Sequence, residues 1–192
     1  MTEYSDTPSG DDARQFVISG CSGSGKSTLI AELAKRGEQV VPEPGRGIVQ
    51  RQIEEGGGGL PWEDVQLFVE LCARQAIRDF DEHAEPGRRV FFDRSFIDVV
   101  CAVERLGLEV PEGLESAAES KRYARTVFMS RPWESLFRPD AERRHGFAEA
   151  VTEYEALVPA YRRHGYEIVF LPEAPVLARV EFLLSTVRSP QE

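Results

Sequence analysis

The amino-acid sequence predicts an α/β fold, a mainly parallel sheet with helices on both faces. Three observations carry this. Five short apolar runs are spread along 192 residues, separated by segments of helical spacing or by polar connections. Glycine or proline punctuates most junctions. The first run leads at once into Gly20-Cys-Ser-Gly-Ser-Gly25-Lys26-Ser27, a glycine-rich loop that opens a helix. Strands joined through helices run parallel, with right-handed crossovers.

Residues 1–13 are polar and read as a flexible tail, followed by a single domain over 14–188. Residues 15–19 (QFVIS) are the first strand, and 26–36 a helix that stops at Gly37. Residues 39–43 (QVVPE) are the second strand, with Pro42 suited to a strand end. The EPGRG stretch then breaks the chain, and 46–54 is a short helix. Gly56 to Gly59 read as a mobile loop and hinge. Pro61 opens a long helix with Val65, Phe68, Val69, Cys72, Ala76 and Phe80 on one face, stopped by Pro86-Gly87. Residues 89–92 are the third strand, and the helix 95–106 carries an apolar face from Phe96 to Leu106. Residues 107–122 are a polar connection with a short helix, and 124–130 (ARTVFMS) the fourth strand. An arginine-rich loop covers 131–145, then a helix over 147–163 ends at Gly165. Residues 166–171 are the fifth strand and 174–187 the last helix.

Charge narrows the function. The net charge is −10, with 23 basic and 33 acidic residues. An acidic surface repels phosphate backbones and anionic membranes, so nucleic acid and membrane surfaces are not expected partners. No apolar run approaches the ~18 residues of a membrane span, and the acidic N-terminus lacks a secretory signal core. Cys21, Cys72 and Cys101 match neither a zinc spacing nor a disulfide framework. These features predict a cytoplasmic protein, monomer or homodimer. Cys21 reads as a small filler in a positive field that would lower its pKa. His83, His145 and His164 lack metal spacing and read as surface residues.

The glycine-rich loop carries the most specific signal. Gly20 to Ser27 fits G-x-x-x-x-G-K-[ST] between a strand and a helix, the context this motif requires. Glycines let successive N–H groups converge on phosphate oxygens, and the following helix adds its positive end. The expected nucleotide contacts are Gly20, Ser22, Gly23, Ser24, Gly25, Lys26, Ser27 and Thr28. Lys26 reaches the outer phosphates of ATP, and the Ser27 hydroxyl serves Mg²⁺.

The third strand ends in Asp93-Arg94-Ser95. A carboxylate there can hold Mg²⁺ or its water shell, or cap the next helix. AAA-class hydrolases usually carry Asp-Glu at this point, the Glu polarising water. Arg94 cannot act as a base but can hold an anionic substrate.

With these motifs the chain resembles the small P-loop kinases: nucleoside and deoxynucleoside kinases and the ribosylnicotinamide kinase domain. It also resembles the small bacterial P-loop proteins of the AAA-type ATPase domain class. The resemblance spans about 15–187 and rests on the P-loop, Glu43-Pro-Gly-Arg46, Asp93-Arg-Ser95 and the arginine loop. It implies a three-layer α/β/α sandwich with a five-stranded sheet of order 2-3-1-4-5. It further implies a lid at about 131–146, whose arginines, Arg138 and Arg143 foremost, neutralise the phosphoryl group in transfer, with Arg131 and Arg144 behind them. Glu43 takes the place of the base toward an acceptor hydroxyl, with Arg46 and Arg94 on the acceptor, or Arg46 paired to Glu43. The implied activity is transfer of the ATP γ-phosphoryl group, with Lys26, Glu43, Asp93, Arg138 and Arg143 as catalytic residues and Ser27 and Asp93 on Mg²⁺. The acceptor is an unidentified small hydroxylated molecule. The alternative is an NTPase or nucleotide-dependent switch with no such acceptor.

Overall fold

The computed structural model describes residues 14–84, 87–136 and 146–188. Along the chain run β1 (Gln15–Gly20), α1 (Lys26–Lys35), β2 (Gln39–Val41), α2 (Pro44–Glu55), α3 (Val65–Glu82) and β3 (Val90–Asp93). They are followed by α4 (Phe96–Leu106), α5 (Leu114–Ser120), β4 (Thr126–Ser130), α6 (Phe147–Arg163), β5 (Glu167–Phe170) and α7 (Val176–Arg188). The strands form one sheet of order β2-β3-β1-β4-β5 with every pair parallel, as the resemblance implies.

Helices cover both faces, so alternate residues of each strand enter different cores. Val17, Phe92, Val127 and Met129 pack with residues of α3, α4 and α6. Ile18, Phe91 and Phe128 pack with Leu29, Ile30 and Leu33 of α1 and Val180, Leu183 and Leu184 of α7. Strands buried on both sides need continuous apolar runs, which is why those runs stood out in the sequence.

Three local expectations are corrected. The EPGRG stretch does not break the chain: α2 already begins at Pro44. Proline suits a first helical position, where its missing N–H would have had no partner anyway. Gly45 lets the Phe68 ring approach closely, since a Cβ there would lie 3.3 Å from it. The long helix begins at Val65 rather than Pro61, because Asp64 caps it and accepts the Leu67 N–H at 2.9 Å. The glycine quartet is a tied turn rather than a loose hinge. Gly57 N–H donates to the Gln52 carbonyl, and Gly59 N–H to Gln52 Oε1, both at 2.8 Å.

The order of strands sets β1 between β3 and β4, so their C-terminal ends converge on the glycine-rich loop. Open α/β sheets bind ligands at such a crevice. The fit is tight: Gly20 has φ 133° and a Cβ on it would lie 2.2 Å from the Ser130 carbonyl oxygen. The Ser130 hydroxyl in turn donates to the Ser24 carbonyl at 2.8 Å. Among the described residues no helix is long and apolar enough to cross a membrane.

Candidate active site

The loop takes the shape its composition calls for. Gly20, Gly23 and Gly25 all have positive φ, a conformation that L side chains rarely adopt. Gly25 is the N-cap of α1, with no side-chain cap and no acidic residue in the first turn. That end of the helix therefore presents main-chain N–H groups and a positive dipole end to an anion. Lys26 is buried, and its ammonium donates to the Gly20 and Cys21 carbonyls at 2.9 and 2.8 Å. Ser24 closes the turn onto the Cys21 carbonyl at 2.9 Å. Ser27 and Thr28 are exposed on the first turn of α1. Cys21 corrects its expectation: burial pushes the thiol pKa up and outweighs the pull of Lys26.

Arg94 is the hub beside the loop. Its φ of 72° makes it the one non-glycine residue with positive φ among the described residues. An arginine pays about 1–2 kcal/mol for that backbone, so its surroundings must hold it there. Nε donates to Glu43 Oε1 at 2.8 Å. Nη1 meets Glu153 Oε1 at 2.8 Å and Asp98 Oδ1 at 3.4 Å. Burial alone would disfavour the guanidinium cation, but these acids more than offset it and raise its pKa. Glu43 shows the reverse balance. Burial raises its pKa, but Arg94 and Lys26 together lower it by more, and the carboxyl stays below its usual range.

Asp93 differs from Glu43 although they are neighbours. It is almost fully buried, and its Oδ1 has no hydrogen-bond partner among the described residues. Burial lifts its pKa to about 6 against the pull of Lys26, with Glu43 adding to the rise. Strand alternation puts it on the α1 side with Phe91, its main chain in register with Ile18. It does not cap α4. Ser95 does, accepting the Ile97 N–H at 3.1 Å, while Asp98 Oδ2 accepts the Ser95 N–H at 2.8 Å. One feature of this corner suits a divalent cation: a buried carboxylate oxygen of Asp93 that no described residue bonds, with the Ser27 hydroxyl on the first turn of α1 as a further oxygen donor.

The raised Asp93 pKa has a signed consequence. A carboxyl pKa above its unfolded value means folding favours the protonated form. Stability from this group is therefore full below about pH 4 and falls as pH rises to about 6. Full ionisation costs about 3 kcal/mol at 1.36 kcal/mol per pKa unit. Asp93→Asn should raise the ligand-free melting temperature at pH 8 and leave it nearly unchanged at pH 4. Melting curves of both proteins at the two pH values check this; equal curves at pH 8 would show that Asp93 is not strained.

Glu153 and Asp98 were not among the expected site residues. Glu153 lies on α6, and its Oε2 accepts the Ser22 N–H of the loop at 3.0 Å while Oε1 holds Arg94. Nothing in the sequence around Glu153 marks it, since it reads as a polar position on an amphipathic helix. Asp98 gathers Ser19 Oγ at 2.6 Å, the Ser95 main chain and the Tyr161 hydroxyl. Its one sequence signal is the Ser95-x-x-Asp98 spacing of a capping box.

The structure brings together Lys26, Glu43, Asp93 and Arg94. Glu43 pairs with Arg94, and Arg46 is exposed on the first turn of α2. Phe68 and Cys72 of α3 approach Glu43 from the other side of Gly45. Burial, then the charge of Glu43, pushes the Cys72 thiol up to about 12. Of the arginine loop, Arg131 stacks over the Phe170 ring at 4.5 Å. Arg138, Arg143, Arg144 and His145 lie outside the described residues, as does the tail 1–13. His83 and His164 bond back to helix carbonyls at 2.8 Å.

A family model described as an AAA domain matches residues 15–179. No curated protein matches the chain in sequence. Among solved structures, deoxyadenosine kinase from M. mycoides with dCMP and dCDP bound is 16% identical with a TM-score of 0.62. It covers 92% of this chain and 100% of its own. The same enzyme with bound dATP is 18% identical, TM-score 0.62, covering 91% and 100%. With bound dCTP it is 16% identical, TM-score 0.59, covering 91% and 98%.

Proposed function

The chain belongs to the AAA domain family, and from that premise we propose that it is a phosphotransferase moving the ATP γ-phosphoryl group to a small hydroxylated acceptor. One observation supports transfer over hydrolysis. The residue after Asp93 is an arginine, and it grips Glu43 at 2.8 Å. AAA-class hydrolases usually carry a carboxylate there to polarise water; here the position holds a guanidinium paired to Glu43 and Glu153. The fold shared with deoxyadenosine kinase supports a nucleoside-like acceptor.

In this reading the loop N–H groups and Lys26 hold the phosphates. Mg²⁺, when held by Ser27 and Asp93, would neutralise charge on the outer phosphate oxygens. The acceptor hydroxyl gives its proton to Glu43, its oxygen bonds to the γ-phosphorus, and the bridging oxygen leaves on ADP. Arg94 keeps Glu43 ionised and aimed. A loose phosphoryl-transfer transition state needs orientation of the hydroxyl more than a strong base, so a low Glu43 pKa is compatible with the role. Arg138 and Arg143 of the lid 131–146 are proposed to cover the phosphates during transfer. The protein is proposed to act in the cytoplasm as a monomer or homodimer.

The AAA domain description favours a second reading, nucleotide hydrolysis that drives a switch. The two separate in an acceptor screen with ATP and Mg²⁺, following phosphorylated product by mass spectrometry beside ADP release. Deoxynucleosides and ribonucleosides come first. Product formed in step with ADP supports transfer; ADP released at the same rate with every acceptor, and no product, supports hydrolysis.

A further inference from the structure

Arg179 of α7 is a buried cation without an anion. The residue is 4% exposed, and its Nε has no hydrogen-bond partner among the described residues. Nη1 reaches the Gly25 carbonyl at a long 3.4 Å. Its guanidinium lies over the Trp133 ring at 5.8 Å. No carboxylate pairs with it among the described residues, and burial alone moves its pKa, downward. Arginines of this kind are costly, because a buried charge needs a partner. Arg94, by contrast, is held by Glu43, Asp98 and Glu153.

Its position says what the partner is. Gly25 caps α1, so Arg179 sits at the helix end of the phosphate loop. Lys26 instead turns back to the Gly20 and Cys21 carbonyls, at the strand end. The two cations thus mark opposite ends of one anion-binding loop. A Cβ on Gly25 would lie 3.0 Å from Arg179 Nη1 and 3.3 Å from Leu136 Cδ1, so glycine here also makes room for the guanidinium. Trp133 and Leu136 cover it from the segment just after β4.

We propose that Arg179 is a nucleotide ligand, holding the α-phosphate while Lys26 serves the outer phosphates, and that Trp133 and Leu136 move aside when nucleotide enters. This rests on the phosphate-site reading of the loop. A planar guanidinium can give two parallel hydrogen bonds to a phosphate, which Lys cannot.

The test compares wild type, Arg179→Met and Arg179→Lys by calorimetry with ADP and Mg²⁺, and by melting without nucleotide. Arg179→Met should weaken ADP binding at least tenfold, with Arg179→Lys between it and wild type. Without nucleotide Arg179→Met should melt at the same temperature as wild type or higher, because a buried unpaired charge is gone. In a Trp62→Phe background, ADP should change the Trp133 emission. Unchanged ADP affinity in Arg179→Met would overturn the proposal, as would an affinity loss accompanied by a fall in ligand-free melting temperature, the mark of a structural brace. Wild type that does not bind ADP would remove the phosphate-site reading and this inference with it.

Discussion

Lys26→Ala should abolish the thermal stabilisation that ATP and Mg²⁺ give the wild type. Ligand at a hundred times its dissociation constant stabilises a protein by about 2.7 kcal/mol. In a chain of this size that is roughly 5–10 °C of melting temperature. The effect is large because Lys26 is the one lysine of the loop and is already buried at its strand end. Turnover should fall by about 10²–10³, the usual cost of removing one preorganised group that meets developing charge. Ligand-free Lys26→Ala should keep its far-ultraviolet circular dichroism, since the ammonium meets only main-chain carbonyls of its own loop. A nucleotide-dependent shift as large as that of wild type would show that the phosphates bind elsewhere.

Glu43→Gln should separate binding from chemistry. The amide keeps the shape of the side chain and can still accept the Arg94 Nε–H, but it cannot take a proton. Transfer to an identified acceptor should drop by about 10²–10⁴, while ATP affinity changes less than threefold. Arg94 retains Glu153 and Asp98, so it should not leave its place. Slow hydrolysis of ATP should persist, because water does not need the acceptor side. Single-turnover assays with and without acceptor, beside ATP calorimetry, give all three quantities. Full transfer by Glu43→Gln would move the base to Asp93; loss of hydrolysis itself would favour the switch reading.

How much of this was legible in the sequence depended on whether a residue's role was local. The strands were legible because burial on both faces demands unbroken apolar runs, as in Val90, Phe91 and Phe92. The loop was legible because backbone geometry demands glycine at fixed positions. Pro44-Gly45 misled because the same residues that break a chain also start a helix, and the deciding contact, Phe68, lies on another element. The glycine quartet misled for a similar reason, since its anchor is the side chain of Gln52 in the preceding helix. Glu153 and Arg179 were invisible. Each is a polar residue on an amphipathic helix, and only the packing of α6 and α7 carries it to the loop.

The strand order also governs when the site can exist during synthesis. β1 is made first, yet its neighbours start at Val90 and Thr126, so it is enclosed only after most of the chain has emerged. Pairings so distant in sequence form slowly. Until then an apolar strand waits without partners, preceded in the sequence by an acidic stretch that discourages edge-to-edge association. Ser130 is the part of the loop's wall that the sheet supplies, both as the backbone that Gly20 rests against and as the hydroxyl on the Ser24 carbonyl. A nascent chain ending before it carries the whole phosphate-loop motif and no place to put a phosphate. Nucleotide capture by stalled chains of increasing length would then switch on only once α6 and α7 have followed, since Glu153 braces Ser22 and Arg179 reaches Gly25, so that the ligand itself reports the completion of the fold.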